Sequence, residues 1–261
     1  MQQSSISALF GALSNETRLN LIANNLANVN TAGYKADSVS FQDTFQRMAT
    51  DYNPDPRGDL SQKLLLPSAM IVAKPRLAEQ TIDMAQGPME TTGNTFDLAI
   101  SGPGFFQVRT PDGIMLTRNG QFIRDAQGQL VTSQGYPLMG GGNPVQIPDT
   151  PNPVVVMPDG NVLVDNQQVA AIDIVTADPK SLQKLGGNFF TGQNKTAPVT
   201  APAQPDQTKV YQGFLEKPNV QVVTEMVSMI ETQRSFEAYA KILTTTQDMD
   251  NSAVTKVGST T

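Results

Sequence analysis

Apolar residues recur at helical spacing near the N-terminus of the chain. Their intervals of three and four residues predict an amphipathic helix over residues 5–29. The apolar stripe consists of Ile6, Leu9, Phe10, Leu13, Leu19, Ile22, Ala23, Leu26 and Ala27. Gly33 is the candidate residue for ending this helix, because glycine adopts the left-handed conformation that closes many helices.

A longer helix is predicted near the C-terminus, where residues 220–250 contain neither Gly nor Pro. At 1.5 Å per residue such a helix spans roughly 46 Å, and burying its stripe requires a helical partner of similar length. Residues 5–29 are the candidate partner within the chain. The stripe combines a repeat of seven with flanking apolar residues: Val222, Met229, Phe236 and Leu243 form the repeat, and Val223, Met226, Ile230 and Ala240 flank it.

Polar residues interrupt both stripes. Gln233 and Gln247 continue the row of Met226 and Ala240, and Asn20 lies among the apolar residues of the first helix. Such a face is weak for a monomer. It suits an interface that is completed only when subunits stack.

Short segments rich in β-branched and aromatic residues alternate with turn signals in the middle of the chain. Pro-Asp-Gly and Asn-Gly separate segments at intervals of about 8–12 residues, which predicts antiparallel hairpins. The predicted strands are Phe105–Arg109, Met115–Arg118, Phe122–Arg124, Gln129–Thr132, Val154–Met157, Val162–Val164 and Ala171–Thr176. Two proline-containing stretches, 46–68 and 193–208, are interpreted as a linker or arm and as an exposed loop.

The predicted fold class is α+β, with an all-β domain inserted between two terminal helices that pair as a coiled coil. The expected boundaries are an N-terminal helical segment at 1–35, an extended linker or arm at 36–80, a central β domain at 81–215 and a C-terminal helical segment at 216–261.

Composition narrows the classes of function. The 261 residues carry a net charge of -6 and contain no Cys and no His. Nucleic-acid binding would need a broad basic surface, and anionic membranes would repel this chain. Without His or Cys, the common nucleophile pairs and zinc sites cannot be built. No apolar run approaches the length of a membrane span and the start lacks a secretory signal pattern, so we expect a protein that stays in the cytoplasm or leaves without a cleaved signal.

Candidate sites for chemistry fail on inspection of their spacing. Residues 51–55 resemble the first half of a calcium loop, but Pro56 replaces the required Gly and Gln62 replaces the bidentate Glu. Residues 140–142 form a glycine run without the Lys that a phosphate loop needs. Ser101 lacks both a preceding glycine and a histidine to activate it. We therefore expect no catalytic residue, no cofactor and no metal.

A cluster of asparagines needs an explanation beyond a helix cap. Asn24, Asn25, Asn28 and Asn30 crowd the end of the first predicted helix. Asn is a mediocre helix former, and a single amide would suffice for a cap. Several amides at one helix end predict hydrogen bonds to other backbone segments.

Four stretches of the chain resemble the flagellar rod and hook family. Ala23–Lys35 is similar to the N-terminal signature of that family, and Ile100–Val108 and Leu116–Val131 are similar to the central β domain of its longer members. Tyr211–Asp248 resembles its C-terminal segment.

The resemblance implies a subunit of the basal-body rod, a structural part of the motility apparatus that crosses the periplasm. It implies terminal helices paired as a coiled coil that lines a tube, with the β domain packed outside. Its partners would be itself and other rod subunits, and the flagellar export apparatus would secrete it unfolded without a cleaved signal. Nucleic acid and direct membrane insertion are not among the expected contacts.

The hypothesis drawn from these patterns is mechanical: both helices bury their stripes against neighbouring subunits, and the amides fix the register. The predicted interface residues are Leu9, Leu13, Ile22, Asn24, Asn25, Leu26, Asn28, Val222, Met226, Met229, Ile230, Phe236, Ala240 and Leu243.

Alternatives remain at the level of sequence. Residues 135–148 favour the proximal type of rod subunit, whereas the length of the chain and the 46–68 segment are compatible with the distal type. From other classes, a calcium- or carbohydrate-binding β module with a helical oligomerisation stalk, and a carboxylate-dependent hydrolase, are the competing interpretations.

Overall fold

The computed structural model describes residues 2–48, 70–149, 152–186, 188–192, 198, 200–204 and 207–258. The chain divides into two compact units. The first unit comprises Met1–Asn24, Ser38–Thr81 and Val223–Thr261, and the second comprises Asn25–Asp37 and Ile82–Val222. The architecture is α+β, as the sequence predicts.

Two long helices and a strand pair make up the described part of the first unit. Helix α1 is Gln2–Ala27 and helix α2 is Val222–Gly258. Strands β1 (Asp37–Met48) and β2 (Met70–Ile82) form a two-stranded sheet. The described parts of the predicted 36–80 arm are therefore strands. Most of the 46–68 segment, with the calcium-loop-like sequence, lies outside the described residues.

The two helices run antiparallel and touch. A Cβ atom at Gly11 would lie 2.6 Å from Cζ of Tyr239. One turn further along α1, Asn15 Nδ2 donates to Ser235 Oγ at 3.0 Å. A step forward along α1 is thus a step backward along α2. Gly11 permits this approach because any side chain there would displace the tyrosine ring.

The helix predicted over residues 5–29 ends at Ala27, and the predicted stop residue Gly33 lies six residues beyond that end. Gly33 does adopt the left-handed conformation, with φ of +68°. It does so inside the segment that follows the helix.

The second unit is built almost entirely from antiparallel strands. The strands are β3 (Met89–Thr91), β4 (Leu98–Ser101), β5 (Phe105–Thr110), β6 (Gly113–Thr117), β7 (Phe122–Arg124), β8 (Leu130–Thr132), β9 (Met139–Gly140), β10 (Asn143–Pro144), β11 (Val154–Val156), β12 (Asn161–Val164), β13 (Gln167–Ala171), β14 (Ile174–Ala177), β15 (Leu182–Leu185), β16 (Phe189–Gly192), β17 (Thr200–Pro202), β18 (Lys209–Gln212) and β19 (Phe214–Glu216). A 3₁₀ turn at Pro179–Ser181 precedes β15.

The largest sheet has six strands in the order β15-β16-β6-β5-β14-β17. A three-stranded sheet has the order β11-β12-β13, and the remaining strands pair as β18-β4, β19-β3, β7-β8 and β10-β9. Successive side chains of a strand point to opposite faces of its sheet. Phe106 of β5 therefore enters the main core with Phe122, and the adjacent Phe105 enters a smaller core with Leu116 and Phe190.

Two strand predictions need correction. The segment 171–176 is not one strand, because β13 ends at Ala171 and pairs with β12, whereas β14 begins at Ile174 and pairs with β5. The chain changes sheets between them, and periodicity does not reveal such a change. The predicted loop 193–208 includes β17, which pairs with β14 at the edge of the large sheet.

Among the described residues, no helix combines the length and the apolar character needed to cross a membrane.

Candidate assembly site

One buried amide, that of Asn25, closes the segment Asn25–Asp37, which begins in the last turn of α1. Asn25 Oδ1 accepts hydrogen bonds from the Tyr34 hydroxyl at 3.0 Å and from the Asp37 amide at 2.9 Å. Asn25 Nδ2 donates to the Asp37 carbonyl at 3.0 Å. Since the side chain is 2% exposed, these bonds replace the water that the amide loses on burial.

The same segment is bound to the β strands of the second unit through its backbone. The Gly33 amide donates to the Glu216 carbonyl at 2.8 Å, and the Ala36 amide donates to Asn219 Oδ1 at 2.7 Å. Asn188 Nδ2 donates to the Ala32 carbonyl at 2.9 Å. A Cβ at Gly33 would lie 2.3 Å from the carbonyl carbon of Arg118, so glycine is required both by φ and by space.

A buried carboxylate lies beneath this segment. Glu216 Oε1 is 2.6 Å from Lys35 Nζ and accepts the Gly87 amide at 2.9 Å, and Glu216 Oε2 is 3.3 Å from Arg118 Nη1. The side chains of Lys35 and Glu216 are 1% exposed, and that of Arg118 is 6% exposed. We call Lys35, Arg118 and Glu216 the buried ion cluster.

Backbone carbonyls accept further hydrogen bonds from the two cations. Lys35 Nζ donates to the Ala85 carbonyl at 2.7 Å. Arg118 Nη2 donates to the Gly102 carbonyl at 2.7 Å, and its Nη1 donates to the Ile100 carbonyl at 3.3 Å. A buried charge is tolerated only when it is paired and hydrogen-bonded. Every charge of the buried ion cluster is paired, and of its buried donors Arg118 Nε has no hydrogen-bond partner.

Burial nevertheless disfavours the charged forms of the cations. Desolvation lowers the pKa of the Lys35 ammonium below its ordinary value of 10.5, and the Glu216 carboxylate opposes that shift. Desolvation also lowers the pKa of the Arg118 guanidinium, again opposed by Glu216. Glu216 is therefore the group that keeps two desolvated cations compatible with the folded state.

A second lysine holds the far end of the segment. Lys184 Nζ lies 2.8 Å from Asp37 Oδ2, donates to the Lys35 carbonyl and sits 4.2 Å from the centroid of the Tyr34 ring. Burial lowers the pKa of Lys184, and the Asp37 carboxylate opposes the shift. Lys184 joins the edge strand β15 to the segment Asn25–Asp37.

The three predicted amides occupy different environments. Asn25 is buried as described, Asn28 is half-buried with its Oδ1 3.3 Å from the Thr31 hydroxyl, and Asn24 is exposed. Asn25 and Asn28 therefore organise the segment itself. Nothing in the structure tests a role for these amides between subunits, which stays a prediction.

The predicted interface residues of the helices fall into three groups. Ile22 is buried. The half-buried group is Leu26, Val222, Met229, Phe236, Ala240 and Leu243. The exposed group is Leu9, Leu13, Met226 and Ile230.

The row of α2 that is covered beside the repeat of seven is not the row that the sequence pattern indicates. The residues four positions after the repeat of seven include the exposed Met226, Gln233 and Gln247. The row three positions after the repeat is the covered one: Thr232 and Thr246 are buried, and Glu225 and Tyr239 are half-buried. This row contains Tyr239, the residue that packs on Gly11, so the close approach of the helices selects it.

Helix α1 turns its small residues inward. Ala8, Gly11 and Ala12 are buried, whereas Leu9 and Leu13 are 49% and 48% exposed. Leu9 and Leu13 thus lie on the side away from α2, whereas Phe10 is half-buried.

Sequence reasoning did not select Lys35, Arg118, Lys184 or Glu216. Three of the four, namely Lys35, Arg118 and Glu216, lie within the stretches that carry the family resemblance. This overlap with the family resemblance is the sequence signal that could have pointed to the three residues. The described residues include no group of three or more Asp or Glu side chains arranged to hold a metal ion.

The polar cluster fixes the chain, and the helices carry exposed apolar surface. Three family models match it, namely "Flagella basal body rod protein" over residues 8–35, "Flagellar hook protein FlgE/F/G D1 domain" over 99–164 and "Flagellar basal body rod FlgEFG protein C-terminal" over 211–255.

Curated relatives match over most of the chain. The flagellar basal-body rod protein FlgF of Caulobacter vibrioides is 34% identical over 242 residues, covering 92% of this chain and 91% of the relative. FlgF of Mesorhizobium japonicum is 30% identical over 261 residues and covers 99% of each chain. The rod protein FlgG of Bacillus subtilis is 33% identical over 264 residues, covering 95% of this chain and 97% of the relative.

The chain belongs to the family of flagellar basal-body rod proteins. It is a structural subunit of the basal body that serves motility, and it assembles with other rod subunits. The family is not enzymatic, which confirms the sequence prediction and displaces the binding-module and hydrolase alternatives. Relatives named FlgF and FlgG match at nearly equal identity, so identity alone does not separate these two types.

The buried ion cluster predicts a large cost for Glu216→Gln. The substitution leaves two buried cations without a counter-charge, and we expect the free energy of unfolding to fall by about 3 to 5 kcal/mol in urea titrations. The matched control is Glu90→Gln, because Glu90 lies 3.0 Å from Lys217 in a pair that is more than half exposed. It should cost less than about 1 kcal/mol. Equal costs for the two variants would contradict the assigned role.

The closure of the segment predicts that Asn25→Asp destabilises the chain by about 1 to 3 kcal/mol, because a carboxylate cannot donate to the Asp37 carbonyl. Asn30→Asp is the control. It places the same charge just beyond the same helix end, where an acid is unfavourable, but at an exposed position. Chemical denaturation compares the two variants, and the idea fails if Asn30→Asp costs as much.

Proposed function

We propose that the chain polymerises into the rod through its terminal helices, which pair as a coiled coil and bury their outer apolar residues against neighbouring subunits. In this arrangement the rod is a tubular shaft that transmits torque and conducts export substrates. The single observation that carries the proposal is the exposure of large apolar residues on both helices, including Leu9, Leu13, Met226 and Ile230.

The contacts at Gly11–Tyr239 and Asn15–Ser235 support antiparallel pairing within one chain. The seven-residue repeat of α2 supports the coiled-coil form of that pairing. Isolated apolar residues are common on protein surfaces, but rows of them along a helix mark an interaction surface. The expected partner is another rod subunit, because rod subunits assemble with one another.

The proposed location is the proximal rod, within the part of the basal body that crosses the periplasm. The resemblance of residues 135–148 to the proximal type supports this choice, and the FlgF relatives of two organisms are consistent with it. Secretion by the flagellar export apparatus is part of the same proposal and rests on the family.

Ile230→Glu tests the assembly surface. Ile230 is 52% exposed, so we expect the melting temperature of the purified monomer to be unchanged. In cells whose only copy carries the substitution, we expect the subunit to be missing from purified basal bodies and swimming to be lost, because a charge cannot be buried unpaired at an apolar contact.

Ile123→Glu provides the matched control, since Ile123 is 54% exposed on β7 of the second unit. This variant should assemble and swim. Normal assembly of Ile230→Glu would contradict the proposal.

The proximal assignment is tested by position. An epitope inserted in the exposed turn at residues 111–113 should be found by immuno-electron microscopy at the cytoplasmic end of the rod in purified basal bodies. Label at the hook end would assign the chain to the distal type instead. A wild-type swimming speed is the control for normal assembly of the tagged subunit.

A further inference from the structure

Seven exposed large apolar residues of the two helices form two separate faces, and Ile242 and Met249 of α2 are exposed outside them. The outer face of α1 consists of Ile6, Leu9 and Leu13, which are 43 to 49% exposed. The outer face of α2 consists of Val223, Met226, Val227 and Ile230, which are 49 to 75% exposed. Ile6 and the residues Val223 and Val227 were not among the predicted interface residues.

The two faces point away from each other. Successive residues of an α-helix are rotated by about 100°. Taking Gly11 as the side of α1 that meets α2, its outer-face residues fall within about 40° of the opposite side. Taking Tyr239 as the corresponding side of α2, its outer-face residues fall within about 60° of the opposite side. One chain therefore cannot cover either face with its own other helix.

The two faces also lie at different heights along the helix pair. Gly11 faces Tyr239 and Asn15 faces Ser235, so Leu9 lies level with Lys241. Val227, at the centre of the outer face of α2, is fourteen residues from that level. This separation corresponds to about 21 Å along the axis.

The spacing of the two faces is complementary. Along α1, the outer-face residues Ile6, Leu9 and Leu13 are separated by three and then four positions. Read from the C-terminal side of α2, Ile230, Val227 and Val223 are separated by three and then four positions as well. An antiparallel contact between them places Ile6 on Ile230, Leu9 on Val227, and Leu13 on Val223. Pairs repeated at these intervals are the ones that meet along packed helices.

We propose that the outer face of α1 packs on the outer face of α2 in a second copy of this chain, displaced by about 21 Å along the helix axis. The inference rests on the proposed function and adds which face meets which, and at what stagger. The charge pattern fits this occupant: residues 2–15 contain no charged side chain, so the outer face of α1 offers nothing to a phosphate-bearing or strongly charged partner.

Such a contact is heterologous, because two different surfaces meet. With a stagger it cannot close between two copies, and it propagates as an open helical array. The seven partly exposed side chains offer much less than the roughly 800 Å² per partner of a stable dimer. A single contact is consequently weak, and subunits remain monomeric until several contacts form together.

Disulfide cross-linking tests the register, and the absence of native Cys makes the background clean. The full-length double variant Leu9→Cys/Val227→Cys, as the only copy in the cell, should give a ladder of covalent multimers when purified basal bodies are oxidised. A disulfide needs Cα atoms within about 7 Å, so the 21 Å separation within one chain excludes an internal bridge. Each single variant should remain uncross-linked.

The matched control is Leu9→Cys/Glu237→Cys, because Glu237 is exposed and lies ten residues further along the same side of α2. It should give no ladder. A ladder from the control instead, a dimer from Leu9→Cys alone, or no cross-link in basal bodies that contain the double variant would overturn the proposed register while leaving the rod function intact. Absence of every variant and of the wild-type chain from basal bodies would overturn both.

Discussion

The second unit depends on the ion pairs and the hydrogen bond that the Glu216 carboxylate makes. The carboxylate joins Lys35 from the segment after α1, Arg118 from the turn after β6 and the Gly87 backbone. Each of the three matched family regions contributes one member of the buried ion cluster: Lys35 lies in 8–35, Arg118 in 99–164 and Glu216 in 211–255. Because a buried charge without its partner is strongly destabilising, none of these regions can be placed correctly without the other two.

The cluster also fixes the points at which the chain leaves one helix and enters the other. Lys35 lies eight residues after the end of α1, and Glu216 lies six residues before the start of α2. Asn25, in the last turn of α1, and Asn219, just before α2, add side-chain bonds to the backbone of the same segment. The ends of both helices are thereby defined by hydrogen bonds between residues distant in sequence.

Local features of the structure follow from the sequence and long-range ones do not. Helical periodicity predicts both helices, and turn residues predict β5, β7 and β11 closely. The pairing of Lys35 with Glu216 spans 181 residues, and no periodic pattern reports it. The apolar pattern indicates a row one residue away from the covered row of α2, because the covered row contains polar Thr232 and Thr246. Only the contact of Tyr239 with Gly11, on the other helix, shows which row faces inward.

The division of residue sizes on α1 has an energetic consequence. Burying a large apolar side chain contributes about 1.5 to 3 kcal/mol, and Ala or Gly contributes much less. By placing Ala8, Gly11 and Ala12 against α2, the chain gains close backbone approach but little hydrophobic stabilisation of its own helix pair. Leu9 and Leu13 stay about half exposed in the monomer, and in the proposed assembly a neighbouring subunit covers them. In the proposed assembly, this part of the hydrophobic free energy of α1 is released only when subunits meet.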